Sequence, residues 1–249
     1  MNDSSSITMK YFLLIFCLVF GELIFSQQEP FMNLDKITIN EDFKALIKFD
    51  PQVSIVINKK LKDLDKQDPL YIDIDETQND VKLIETSIDK SSKNKYIVVF
   101  EYGPSSDPAF LFYKKDKYDK PIFSIPGLQL FLTGNGFIYV AGHTNNYFDQ
   151  RKKFKFINDS LMEIKQPFNY VGLNTKTRVA LTLYDNLNKS NIIANIPANY
   201  PIEVLLADTE YNYLIKTDFG LVGWVIFEYI GQKDEYIEGL FFNGLNSSH

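Results

Sequence analysis

Tyr96-Ile97-Val98-Val99-Phe100-Glu101-Tyr102 is apolar on both faces when read with a period of two: Tyr96, Val98, Phe100 and Tyr102 share one side, Ile97 and Val99 the other. Such a run is the central strand of a sheet. Around it lie further short apolar runs bounded by turn residues, which predict strands over 71–75, 81–87, 109–113, 122–125, 128–132, 137–141, 153–157 and 161–165. Gly134-Asn135-Gly136 supplies the positive backbone angles of a tight hairpin, and Asn158-Asp159 a weaker version of the same turn. Regular spacing of this kind predicts an antiparallel sheet or sandwich. No internal repeat is visible, and the strands are too few for propeller blades.

Ahead of these strands the pattern is briefly helical. Asn40 or Asp42 can cap a turn through Phe43, Ala45, Leu46 and Ile47. Asp50-Pro51 then has the form of an N-cap followed by proline, before Val53, Val56, Ile57, Leu61 and Leu64 at helical spacing. One or two short helices are therefore expected here. The competing reading makes 53–57 a strand, because four of those five residues are β-branched aliphatics.

Lys10 stands directly before the apolar run 11–20, which has the form of a secretory leader. The run is too short to span a hydrocarbon core, which takes about twenty apolar residues, and Glu22 interrupts its continuation. Cleavage after Ser26 is expected, leaving Gln27 as the mature terminus and no transmembrane segment; a start at Met9 in place of Met1 would give a more ordinary charged leader. Cys17 follows Phe16, where lipid-attachment sites carry a small residue. It is the sole cysteine, so the mature chain would hold neither disulfide nor thiolate chemistry. A periplasmic or secreted location follows from the leader.

With 45% hydrophobic and 15% aromatic residues and a formal net charge of −6, the chain reads as a packed soluble protein, not a disordered one. Arg151 and Arg178 are its only arginines, which leaves few forked donors for phosphate and argues against a nucleic-acid partner. Residues 166–175 carry enough apolar side chains to predict a docked connector.

Beyond the connector, Val179, Leu181 and Leu183 alternate as a strand, followed by a polar loop at 184–190. Two short strands around Pro197 come next, and Tyr213-Leu214-Ile215-Lys216-Thr217 leads into Gly220, Gly223-Trp224-Val225 and Tyr229-Ile230. This order resembles the bacterial SH3 family of small barrels, and Gly223-Trp224-Val225 is the most specific element of the match. The resemblance implies an SH3-like β-barrel over 176–230, with glycine allowing a tight turn and tryptophan covering the barrel end. Where family members carry Asn-x-Arg and a Gly-Pro turn, this sequence has Thr182-Leu183-Tyr184-Asp185-Asn186, so the family's cation is missing. The whole chain is thus expected to be mainly β: a leader at 1–26, an antiparallel all-β domain at 27–170, the barrel, and a tail at 231–249 that can add one strand.

Tyr184, Asp185, Tyr211 and Trp224 are the candidate binding residues, aromatic rings beside an acidic loop that can stack on an extended peptide or sugar. Trp224 and Tyr213 could equally serve the barrel core alone. Asp73-Ile74-Asp75-Glu76-Thr77 resembles the D-x-D-x-T motif of haloacid-dehalogenase-type phosphatases, in which paired carboxylates and magnesium act together. It lacks the buried parallel strand that motif requires. Read as a calcium loop, it has Gln78 where glycine is needed and Ile84 where glutamate is needed. His143 has no ligand-like companion at useful spacing. No metal or cofactor is expected. The sequence therefore points to an exported, non-enzymatic binding protein for a cell-envelope peptide, glycan or protein. The alternatives are a metal-dependent hydrolase or phosphatase using Asp73 and Asp75, and a purely architectural envelope protein.

Overall fold

The computed structural model describes residues 31–72, 79–103, 107–142, 146–227 and 233–240. The expected leader with Cys17, the 73–77 motif with Asp73 and Asp75, His143 and the Tyr229-Ile230 ending lie outside the described residues. From Leu34 onward the chain forms one compact unit. Its described residues are mainly β, in three sheets.

The chain begins with β1 (Asp35–Asn40) and β2 (Ala45–Phe49). A second sheet follows as an antiparallel meander of β3 (Ser54–Lys60), β4 (Val81–Thr86), β5 (Tyr96–Glu101), β6 (Ala109–Lys114) and β7 (Phe123–Pro126). Then β8 (Gln129–Leu132), β9 (Phe137–Ala141), β10 (Arg151–Ile157) and β11 (Ser160–Glu163) complete the first sheet, in the order β1-β2-β8-β9-β10-β11. The pair β2/β8 is parallel. The chain leaves the first sheet after β2, lays down the whole second sheet, and returns beside β2 in the same direction.

The two sheets share one core. Ile47, Phe49, Leu130, Leu132, Ile138 and Val140 of the first meet Ile84, Val98, Phe100, Phe110, Phe112 and Ile125 of the second, all fully buried. On the far side of the second sheet, Ile97 and Val99 pack with Leu61 and Leu70 in a smaller cluster. Strand β5 is thus covered on both faces, as its period-two pattern predicts. Gly134 and Gly136 take φ of 69° and 80° in the β8–β9 turn, and Asn158 and Asp159 take 51° and 59° in the two-residue β10–β11 turn. The Asp159 carboxylate accepts from the Tyr96 hydroxyl at 2.6 Å and the Lys114 ammonium at 2.7 Å.

The expected early helices are not there. Asn40 does cap, its Oδ1 accepting the Phe43 N–H at 3.1 Å, but the turn it closes joins β1 to β2. Asp50 Oδ1 accepts the Gln52 N–H at 2.9 Å in a second such turn, and 54–60 then runs as β3 against β4. Helical spacing of Val53, Val56 and Ile57 loses to the β preference of a β-branched run with a neighbouring edge to pair with. Only a three-residue 3-10 turn, Leu61–Asp63, follows it.

The third sheet comprises β12 (Asn169–Lys176), β13 (Leu181–Tyr184), β14 (Ile192–Ile196), β15 (Pro201–Ala207), β16 (Tyr213–Thr217) and β17 (Val222–Val225), in the order β12-β15-β16-β17-β13-β14. The expected closed barrel is not formed among the described residues. The edge strands of this order, β12 and β14, have no pairing with each other among the described residues, and β12 runs along β15 from Asn169↔Ala207 to Lys176↔Pro201. The segment expected as a connector is therefore an integral edge strand.

Leu183, Val204, Tyr213, Ile215 and Val225 form the inner face of this sheet. The β9–β10 loop adds Phe148 and Tyr147 to the same cluster, so the sandwich and the third sheet share side chains. Of the tail, Lys233–Glu235 is a 3-10 turn, Ile237 makes an isolated bridge to Thr177, and Ile237 and Leu240 are fully buried. The described part of the tail fills the core without adding the expected strand.

Candidate functional site

Antiparallel partners lie on the same face of a sheet, and pairing here assembles one continuous row. It runs Tyr170↔Leu206↔Leu214↔Trp224↔Tyr184↔Ile192, one residue from each of the six strands. Their neighbours Ala207, Tyr213, Val225 and Leu183 point into the core, so this row belongs to the outer face. Leu206, Leu214, Trp224 and Tyr184 are half-buried, while Tyr170 and Ile192 at the two ends are 56% and 61% exposed. Phe168 leans on Trp224 with ring centroids 5.7 Å apart, and the Arg151 guanidinium lies 5.5 Å from the centre of the Tyr170 ring.

Gly223 makes this arrangement possible by close approach, not by the tight turn expected of it, since its backbone is outside the left-handed region. A Cβ there would lie 2.6 Å from the Tyr184 carbonyl oxygen, 2.7 Å from Leu183 Cγ and 2.9 Å from Ile193 Cδ1. Strand β13 can sit against β17 at Trp224 because position 223 has no side chain.

Of the four candidate residues, Tyr184 and Trp224 are brought together as direct cross-strand partners. Asp185 is exposed beside them, but its carboxylate is bound into its own loop, accepting the Asn191 N–H at 3.0 Å and Nδ2 at 2.7 Å. Those bonds hold its carboxyl below the usual carboxylate range. Tyr211 is elsewhere: it stands in the β15–β16 turn, edge-on to Tyr147 at 5.3 Å, and packs against the inner cluster. Tyr213 is fully buried in that cluster, with its hydroxyl pushed far up by burial.

Phe168 and Tyr170 were not among the candidates, because 166–175 reads as a joint. The signal present was their own alternation, Phe168, Tyr170 and Gly172 against Asn169 and Val171. Among the described residues no group of three or more His, Cys, Asp or Glu side chains is placed to hold a metal, and no helix is long and apolar enough to cross a membrane. The chain matches no protein-family model, no curated protein and no solved structure.

Proposed function

We propose that the protein is an exported, non-enzymatic binding protein, periplasmic or secreted, whose C-terminal sheet is related to the bacterial SH3 family and binds a cell-envelope component. The observation that carries this reading is the outer-face row in which Trp224 and Tyr184 are adjacent, half-exposed and extended by Tyr170 and Phe168. Aromatic surface of this kind gives large contact area at low entropic cost, with hydroxyl and indole donors at its rim. Phe219, 82% exposed in the β16–β17 turn, and Val222, 45% exposed, extend the apolar surface. The test is retention of the mature protein on purified cell-wall polymer, with Trp224→Ala alongside. Retention of wild type with loss in the variant supports the reading, and equal retention of both overturns it.

The architectural reading is favoured by a separate observation, the packing of Phe168 on Trp224 and of Ile237 and Leu240 in the core. On that reading Phe168→Ala lowers the melting temperature by several degrees and leaves envelope retention unchanged.

A further inference from the structure

A cleft of about 270 Å3 opens where the β10–β11 hairpin of the sandwich meets the β12 and β15 ends of the third sheet. Its walls are polar and come from both bodies: Gln150 and Lys152 with Glu163 on one side, Asn169, Asp208 and Tyr211 on the other. The side chains are fixed in advance. Asn146, 4% exposed, donates through Nδ2 to Gln150 Oε1 at 2.8 Å, and Gln150 Nε2 donates to Asn169 Oδ1 at 3.1 Å. This relay holds both carboxamides by hydrogen bonds and leaves the Asn169 Nδ2 donors free of the bond its oxygen accepts. Asp208 is fastened equally firmly, its two oxygens taking the Glu210 N–H, the Asn212 N–H and Asn212 Nδ2, each at 2.8 Å.

Two features are costly for stability alone. Tyr211 holds φ of 60°, a conformation that is a genuine outlier for a bulky residue and costs of order 1–3 kcal/mol. Behind it the Tyr213 side chain is fully buried near Tyr147, Tyr211 and Asp208, and its hydroxyl has no hydrogen-bond partner among the described residues. Nearly all buried polar groups are bonded, so this hydroxyl behind the cleft wall is an exception among the described residues.

We infer that this cleft is a binding site for a neutral saccharide of about one or two rings. The volume lies just under the usual range of roughly 300–1,000 Å3 for small-molecule sites, which sets the size. Lys152 and Lys165 are balanced by Glu163 and Asp208, so the lining has no net charge to select an anion. Paired donors and acceptors of the carboxamides match vicinal hydroxyl or acetamido groups, and Tyr211 supplies aromatic surface for a ring face. The inference stands apart from the outer-face row and does not depend on it.

The experiment is an NMR titration of the labelled protein with cellobiose, maltose and N,N′-diacetylchitobiose at millimolar concentrations, with dialanine as a zwitterionic comparison. Saturable shifts at Gln150, Asn169 and the 208–211 backbone with at least one sugar are expected. Tyr211→Gly removes the ring while suiting the backbone angle, and Gln150→Ala breaks the relay. Each is expected to weaken sugar binding roughly tenfold or more while the protein stays folded by its amide spectrum. Absence of sugar-induced shifts overturns the inference, as do shifts confined to Trp224 and Tyr184, a response to dialanine alone, or unchanged affinity in both variants.

Discussion

Gly223→Ala tests how the third sheet holds its aromatic row. The new methyl would meet a backbone carbonyl at 2.6 Å and a branched side-chain carbon at 2.7 Å, neither of which is the far end of a flexible chain. Relief therefore requires β13 to move off β17. Overpacking of this kind costs about 1–3 kcal/mol, and two rigid contacts place the change toward the upper end. For a chain of this size about 1 kcal/mol shifts the melting temperature by roughly 2–4 °C, so a fall of about 4–12 °C is expected by circular dichroism. Trp224 is the only tryptophan, so its fluorescence reports this seam alone, and a shifted emission is expected in the folded variant. Gly220→Ala is the comparison: its Cβ meets nothing within 4 Å, and only its φ of 97° opposes the change. That variant should lose some stability and keep the native emission. A Gly223→Ala protein with native melting and native fluorescence would refute the close-approach reasoning.

Two buried tyrosines should behave oppositely when the hydroxyl alone is removed. Tyr96→Phe forfeits a bond to a carboxylate and should cost about 1–2 kcal/mol, whereas Tyr213→Phe removes a hydroxyl with no partner among the described residues and should be neutral or stabilising, both read from urea midpoints. The acid limb has a definite sign. Bonds from Lys114 and then Tyr96 hold the Asp159 carboxyl below its usual range, so its contribution is full above the unfolded value of about 3.9 and is lost as pH falls through the folded value. Burial raises the Asp80 carboxyl, so its contribution is full below about 3.9 and is lost as pH rises through its folded value. Asp80→Asn, which keeps an acceptor for the Tyr102 N–H, should therefore flatten the upper part of the melting-temperature profile, and Asp159→Asn its acid end. Profiles that overlay the wild type would contradict both assignments.

Strands β4 to β11 were legible because each carries its own pattern: β9 spans the expected residues and the others differ only at their ends, whereas β1 has no strand reading and β2 and β3 read as helical. What the pattern could not supply was partner choice. Ser54–Lys60 has helical spacing and β-branched composition together, and the waiting edge of β4 decided between them. Nothing local in Asn169–Lys176 says that it will take the side of β15, yet that pairing makes the expected connector an edge strand of the third sheet. The site was legible in the same proportion. Tyr184 and Trp224 are matched across strands, but Tyr211, close to them in sequence order, is turned to the opposite face by the β15–β16 turn. The polar cleft depends on Gln150 and Asn169 arriving from separate sheets, which no spacing along the chain encodes.

The parallel pairing of β2 with β8 also orders events in time. Phe49 finds Leu132 only after the intervening meander has been made and folded back, so the opening hairpin must wait with one side unsatisfied. Distant pairings of this type slow folding, because the chain must close a long loop before the contact repays it. A shortened chain ending before Gln129 would keep that hairpin's bare edge permanently, making it the expected point of self-association in any truncated form.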